Sequence, residues 1–411
     1  MKGTKKNKIV REKGITLIAL VITVVILIIL ATVTLNVVLG EGGLIQRAQQ
    51  AKELTEQAAL EEQQELNSLM SEFTNIMAED QNPPELEIPT INDAKPNPNE
   101  DGPKFDNTTT ITDDLDNEVT IPGGFHLDKD SGTKVEEGIA IEDDSGNQFV
   151  WIPVGEYNVS TTISSTGKLT NELSRREWAD INVVAEPTLI SEDEEIDDNY
   201  YGEGSTEYTS VARDQINAFK TSATNNKGFY IGRYEAGTEV ERTASTDPLT
   251  TPLVQANKYP YNYVTRDEAK QQVEVMYNGN KYVTSELISS YAWDTALNFI
   301  CQTNEKGYLL ATTTDSAYGN MHNDRTQTGT YTVNGEISDK YSNIHDLLGN
   351  CWEWTTEYSN KIFISSNYNC VVRGGSVVSS GSNAATRSNY KTSDSYSDTS
   401  FRVQLYINPE N

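Results

Sequence analysis

The sequence predicts an α+β head carried on a long N-terminal helix, and three observations lead there. Residues 15–39 (ITLIALVITVVILIILATVTLNVVL) hold no charge, and at about 1.5 Å rise per residue a helix of that length crosses a bilayer. Residues 44–77 then place Leu44, Ala48, Ala51, Leu54, Ala58, Leu66, Leu69, Phe73 and Ile76 near helical spacing among Glu, Gln and Ala. Beyond residue 118 the pattern changes to short apolar runs parted by polar turns, with two amphipathic stretches among them. The domains expected are a leader at 1–14, a membrane helix at 15–39 and a stalk helix at 40–78. An acidic proline-rich linker at 79–117 and a head at 118–411 complete the chain.

The basic flank sets orientation. Lys2, Lys5, Lys6, Lys8, Arg11 and Lys13 face a single acid, Glu12, so this end is expected to stay cytoplasmic and the remainder to be exported. A Sec signal peptide fits less well, since the apolar run is too long and no small-residue cleavage site follows. The junction Lys13-Gly14-Ile15-Thr16-Leu17-Ile18 resembles the processing site of type IV prepilin-like proteins. That resemblance implies cleavage between Gly14 and Ile15 by a prepilin peptidase. Members usually carry Glu at the fifth mature position, where it aids assembly; here Ala19 stands there. A carboxylate in lipid is costly, so its absence favours a single anchor over a filament.

The stalk helix would run roughly 34 residues, about 50 Å. Its apolar stripe is thin and needs a partner, either pilin-like copies or the head. In the linker, Pro83, Pro84, Pro89, Pro96, Pro98 and Pro103 lie among Asp, Asn and Glu, a composition that buries no core. Within the head, residues 139–154 read as a hairpin turning at Asp143-Asp144-Ser145-Gly146-Asn147, and Phe229-Tyr230-Ile231 as an aromatic strand. Residues 155–226 read as an acidic surface insertion with a helix at 207–221. Two further helices are expected at 266–276 and 284–301.

Composition narrows the partners. The formal net charge of −29 repels nucleic acid and anionic headgroups, so neither is expected. Cys301, Cys351 and Cys370 lack metal-type spacing and leave one odd; Cys351 with Cys370 reads either as a disulfide or as buried free thiols. Three histidines, His126, His322 and His345, are too few for a histidine-rich metal centre.

Five pieces follow in order: GFYIGRYEAG at 228–237, SSYAWDTALNFI at 289–300, IHDLLGNCWEWTTE at 344–357, VVRGGSV at 371–377 and SFRVQL at 400–405. Together they resemble the formylglycine-generating enzyme (sulfatase-modifying factor) family, from about Ile121 to Ile407. The resemblance implies a variant C-type-lectin-like fold. On their own terms, Gly349 and Asn350 are turn formers, and Trp352 and Trp354 are large aromatics suited to a loop-rich core. Asp346 and Glu353 lie seven apart across that turn and offer two hard oxygens. The family resemblance implies a structural Ca²⁺ held by Asp346, Glu353 and the carbonyls of Gly349 and Cys351. Arg373, ahead of Gly374, Gly375 and Ser376, reads as a hydrogen-bonded structural arginine rather than a substrate clamp.

The family's oxidase binds copper with paired cysteines just beyond RGGS. This chain has none after Cys370, and serine does not replace a soft thiolate, so copper is not expected. The related sulfoxide synthases take iron-binding histidines from another domain, and this chain has no such histidine cluster. Fold alone does not restore the activity. Residues 379–400 are instead dense in Ser, Asn, Thr, Tyr and Asp, the composition of recognition loops. Ser382, Asn383, Arg387, Asn389, Tyr390 and Tyr396 are the candidate contacts, against the alternative of an ordinary solvated loop. Related lectin-like domains also serve as variable receptors of diversity-generating retroelements, which favour these residue types. The expected function is an extracellular binding protein for a glycan or protein, anchored alone or in a pilus. The alternatives are a minor pilin with an assembly role and a formylglycine-type oxidoreductase.

Overall fold

The computed structural model describes residues 21–30, 52, 57, 88–179, 183–190, 196–197, 206–305, 307–320, 332–335, 340–359, 370–379 and 382–409. The chain divides into two units, Met1–Glu87 and Ile88–Asn411. In the first, residues 21–30 are helical and their large apolar side chains are about half exposed; Lys52 and Gln57 are also helical. No helix among the described residues is long and apolar enough to cross a membrane. Gly14, Ile15 and most of the expected membrane and stalk helices lie outside the described residues.

The second unit is mixed α+β and built on a six-stranded antiparallel sheet. Its order is Val283–Leu287, Val403–Ile407, Gly228–Gly232, Gln148–Pro153, Ala140–Asp143, Phe125–Leu127. The expected hairpin forms its middle. Gly228–Gly232 is buried along its whole length because both faces are covered. A Cβ on Gly228 would stand 2.2 Å from the Trp151 ring, so the bare backbone lets that indole lie flat across the neighbouring strand. The Thr206–Asn225 helix packs on this sheet through Phe219, whose ring centroid is 5.1 Å from that of Phe229 and 6.0 Å from that of Tyr406.

A second, five-stranded sheet has the order Ile196–Asp197, Trp352–Ser359, Cys370–Arg373, Arg387–Tyr390, with Thr399–Phe401 running parallel to Trp352–Ser359. The Ser290–Thr303 helix is buried from Ser290 to Cys301 and starts where the Ser289 hydroxyl accepts from the Ala292 amide at 3.2 Å. The Arg266–Met276 helix keeps its expected bounds. It is held by a reciprocal cap in which Thr265 accepts from the Glu268 amide and Glu268 accepts from the Thr265 amide.

Three expectations change. Residues 284–301 are not one helix: Val283–Leu287 is an edge strand paired with Val403–Ile407, and the helix begins only after the Ser289 cap. The head also starts before residue 118. Ile91, Ala94 and Ile111 are buried, the short Ile91–Ala94 helix carries its own capping box, and Thr109–Thr112 pairs with Glu118–Ile121. A few well-placed apolar residues thus order a stretch whose average composition reads as linker. The 155–226 region is not wholly superficial either. It opens with a hairpin, Gly155–Asn158 with Lys168–Asn171, and sends Asn171, Arg175 and Arg176 into the interior.

Candidate functional site

The 346–354 turn is shaped by left-handed backbone at Asp346 (φ 57°), Gly349 (φ 88°) and Asn350 (φ 57°). Asp and Asn tolerate that region better than most residues. Asn350 is fixed on both ends of its amide. Its Nδ2 donates to Glu235 Oε2 at 3.0 Å, and its Oδ1 accepts from Asn320 Nδ2 and the Thr332 amide, each at 3.0 Å. The Cys351 amide donates to Glu235 Oε1 at 3.1 Å. Trp354 is fully buried and donates through Nε1 to the Val264 carbonyl at 2.9 Å, while Trp352 is nearly as buried.

Glu353, fully buried, is held by a fork from Arg402. Nε donates to Oε2 at 3.0 Å and Nη2 to Oε1 at 2.6 Å. The same guanidinium donates to the carbonyls of Gly232 and His345, both at 2.9 Å. Asp346 accepts from the Gly335 amide at 2.8 Å through Oδ2, while its buried Oδ1 has no partner among the described residues. Of the three buried carboxyls, only Glu353 is bonded to the guanidinium. Burial pushes the Asp346 carboxyl up to about 6 and that of Glu353 up to about 7 despite Arg402. Burial, then the charges of Glu353 and Asp346, push Glu235 well above the usual carboxylate range.

This arrangement does not fit the calcium cage that the resemblance implies. Both oxygens of Glu353 face Arg402, whose charge would oppose a divalent cation, leaving only the free Asp346 Oδ1 and main-chain carbonyls. Among the described residues no group of three or more His, Cys, Asp or Glu is arranged to hold a metal ion.

A second charged cluster lies behind the RGGS segment. The register of Cys370–Arg373 with Arg387–Tyr390 sets Arg373 directly opposite Arg387, and two carboxylates relieve the repulsion. Arg373 Nη2 donates to Asp294 Oδ1 at 2.6 Å, and its Nη1 lies 3.6 Å from Glu357 Oε2. Arg387 donates through Nε to Glu357 Oε1 at 2.7 Å and through Nη2 to Asp294 Oδ2. The Arg176 amide also donates to Asp294, at 2.8 Å. Burial pushes the Asp294 carboxyl up, but Arg373 and Arg387 outweigh it and hold it below the usual carboxylate range. Gly374 (φ 85°) leaves the strand here. A Cβ on it would meet the Leu347 carbonyl oxygen at 3.0 Å and the Trp293 ring at 3.3 Å. Gly375 (φ 79°) completes the turn, and the Ser376 hydroxyl donates to Asp398 Oδ2 at 2.9 Å.

The six candidate contact residues separate into two groups. Arg387 belongs to the buried charge cluster. Asn383 braces its own turn, accepting from the Thr386 hydroxyl at 2.9 Å and donating to the Thr312 carbonyl at 3.2 Å. Ser382 is half-buried. Asn389 lies on the Arg387–Tyr390 strand, and its buried Nδ2 has no partner among the described residues. Tyr390 and Tyr396 meet at 5.3 Å between centroids, and Tyr390 continues inward to Trp354 at 5.7 Å. Tyr396 is 45% exposed and forms the outer end of that aromatic column. The inner partners Glu235, Asp294, Glu357 and Arg402 all lie inside the quoted pieces, but none was singled out from the sequence.

The buried carboxyls Glu235, Asp294, Asp346, Glu353 and Glu357 are all 0% exposed, so as arranged they cannot exchange protons with a substrate arriving from solvent. All three cysteines are buried and form no disulfide. Burial raises the Cys301 and Cys351 thiols, which disfavours the reactive thiolate.

No protein-family model matches this chain. No curated protein matches it either. Among solved structures it is similar to CarF, at 13% identity over 44% of this chain and 87% of that one, with TM-score 0.31. It is similar to PvdO from Pseudomonas aeruginosa, at 12% identity over 65% of this chain and 97% of that one, with TM-score 0.35. It is also similar to Treponema denticola variable protein 1, at 13% identity over 64% and 96%, with TM-score 0.37. All three scores lie below the level that establishes a shared fold.

Proposed function

We propose that this chain is a binding protein displayed outside the cell. A prepilin-like helix, processed between Gly14 and Ile15, anchors it, and a head of the formylglycine-generating type binds a glycan or a protein without oxidase chemistry. One observation carries the reading: the segment after Arg373-Gly374-Gly375-Ser376 contains no cysteine. The same segment supports recognition instead, through the Tyr390–Tyr396 column, whose outer ring is open to solvent. Tyrosine gives rigid amphipathic contact area at low entropic cost.

The test uses the full chain solubilised in detergent, applied to intact cells, matrix proteins and immobilised glycans. Binding that falls about tenfold in Tyr396→Ala, with an unchanged circular dichroism spectrum, is the expected result. Absence of binding to every surface would overturn the reading. Copper-dependent turnover of a cysteine peptide would replace it with the oxidase alternative. Sequencing the mature N-terminus from sheared and membrane fractions tests the anchor. A start at Ile15 in sheared filaments makes the chain a pilus subunit, the same start in membranes alone makes it a solitary receptor, and a start at Met1 removes the prepilin assignment.

A further inference from the structure

A groove of about 550 Å³ opens between the Thr206–Asn225 helix, the hairpin of Thr109–Thr112 with Glu118–Ile121, and the end of the Val403–Ile407 strand. Its size falls in the ~300–1,000 Å³ range of small-molecule sites. None of its lining residues carries a charge, in a chain where 23% of residues do. Hydroxyls and amides line it together with the apolar surface of Ala218, Tyr406, Ile407 and Pro409.

The helix supplies the organised wall. Asn217, Thr221 and Asn225 fall at i, i+4 and i+8, one row along the helix with a step of about 6 Å. This row is exposed, while Ile216, Phe219 and Ala223 face the core. The side chains of Asn217, Thr221, Asn225 and, across the groove, Thr108 have no hydrogen-bond partner among the described residues. Behind them the wall is braced by hydrogen bonds. Ser222 Oγ donates to the Ile407 carbonyl at 2.6 Å, and Tyr406, which contributes an apolar ring, donates through its hydroxyl to Glu286 at 3.2 Å.

We propose that this groove binds a neutral carbohydrate. Each free amide offers both donors and an acceptor, and each free hydroxyl offers both roles, which matches the mixed donor and acceptor character of sugar hydroxyls. An apolar ligand would leave those groups unpaired at a cost. A charged ligand finds no counter-charge in the lining, and an acidic glycan is further repelled by the net charge of −29. The exposed Ala218 and Pro409, with the edges of the nearly buried Tyr406 and Ile407, supply the apolar surface against which the C–H face of a sugar ring packs. The inference rests on the binding reading above but places the contact away from the Tyr396 surface.

The experiment titrates the full chain in detergent against immobilised neutral oligosaccharides of glucose, galactose, mannose and N-acetylglucosamine, beside sialylated and sulfated counterparts. The expected result is binding to one or more neutral members, no binding to the acidic ones, and a loss of about tenfold or more in an Asn217→Ala, Thr221→Ala double variant. Thr108→Ala, on the opposite wall, should weaken the same ligand. Binding to cells or matrix proteins but to no neutral sugar overturns the groove and leaves the binding reading standing. Sugar binding unchanged in the double variant and abolished by Tyr396→Ala does the same. Absence of all binding overturns both.

Discussion

The two buried charge clusters of the head solve the same problem differently. Around Arg373, two guanidiniums meet two carboxylates, so each acid keeps a cationic partner. Around Arg402, one guanidinium meets Glu353 while Glu235 and Asp346 depend on neutral donors. The balanced cluster holds the Asp294 carboxyl below the usual carboxylate range; the acid-rich one raises the proton affinity of its acids. The contrast predicts which cluster is fragile and at what pH.

The largest effect should come from Arg402→Met. It strands Glu353 beside two further buried acids and should cost about 3–5 kcal/mol of head stability, read by urea unfolding of the full chain. Arg373→Met should cost less, about 1–3 kcal/mol, because Asp294 keeps Arg387 and the Arg176 amide while Glu357 keeps Arg387. Equal losses would erase the distinction.

Next in size is the pH profile. The Asp346 and Glu353 carboxyls lie above their unfolded values, so the stability they contribute is fully present below about pH 4 and is lost as pH rises through about 6 and 7. Glu286, raised by burial to about 7, acts in the same direction. Asp294 is depressed, so its contribution is present above its unfolded value and is lost as pH falls through its lower folded value. Denaturation midpoints should therefore decline from pH 5 to pH 8, and an Asp346→Asn, Glu353→Gln variant should flatten that decline. A decline of the same slope in the variant would remove these carboxyls as its cause.

The smallest expected effect concerns calcium. Because Arg402 already occupies Glu353, adding a chelator to the full chain should leave the melting temperature of the head unchanged. A drop of several degrees, abolished in Asp346→Asn, would mean that the free Asp346 oxygen gathers an ion after all.

Local signals in the sequence carried the 139–154 hairpin, the Arg266–Met276 helix and the aromatic strand, because turn residues, caps and alternation are written within a few neighbours. The edge strand Val283–Leu287 was not legible. Its partner, Val403–Ile407, is remote in sequence, and a short apolar run ahead of a helix reads as more helix. Composition hid the folded part of the apparent linker, where Ile91, Ala94 and Ile111 carry the burial among prolines and acids. In the candidate site, the turn residues and RGGS stood out as motifs. Their partners Glu235, Asp294, Glu357 and Arg402 did not, since ion pairing across strands and helices leaves no local spacing to read. The polar 382–396 stretch was legible only as composition. Folding divided it, turning Asn383 and Arg387 inward and leaving Tyr396 outside.

The strand Val403–Ile407 lies inside the six-stranded sheet, between Val283–Leu287 and Gly228–Gly232. It is the last of the six to leave the ribosome, yet its neighbours cannot complete their ladders without it. Non-local pairing of this kind is slow to form. A growing chain therefore carries an incomplete sheet until this strand arrives. Loss of this strand would detach the edge strand Val283–Leu287 from the sheet and expose the unpaired edge of Gly228–Gly232 to aggregation.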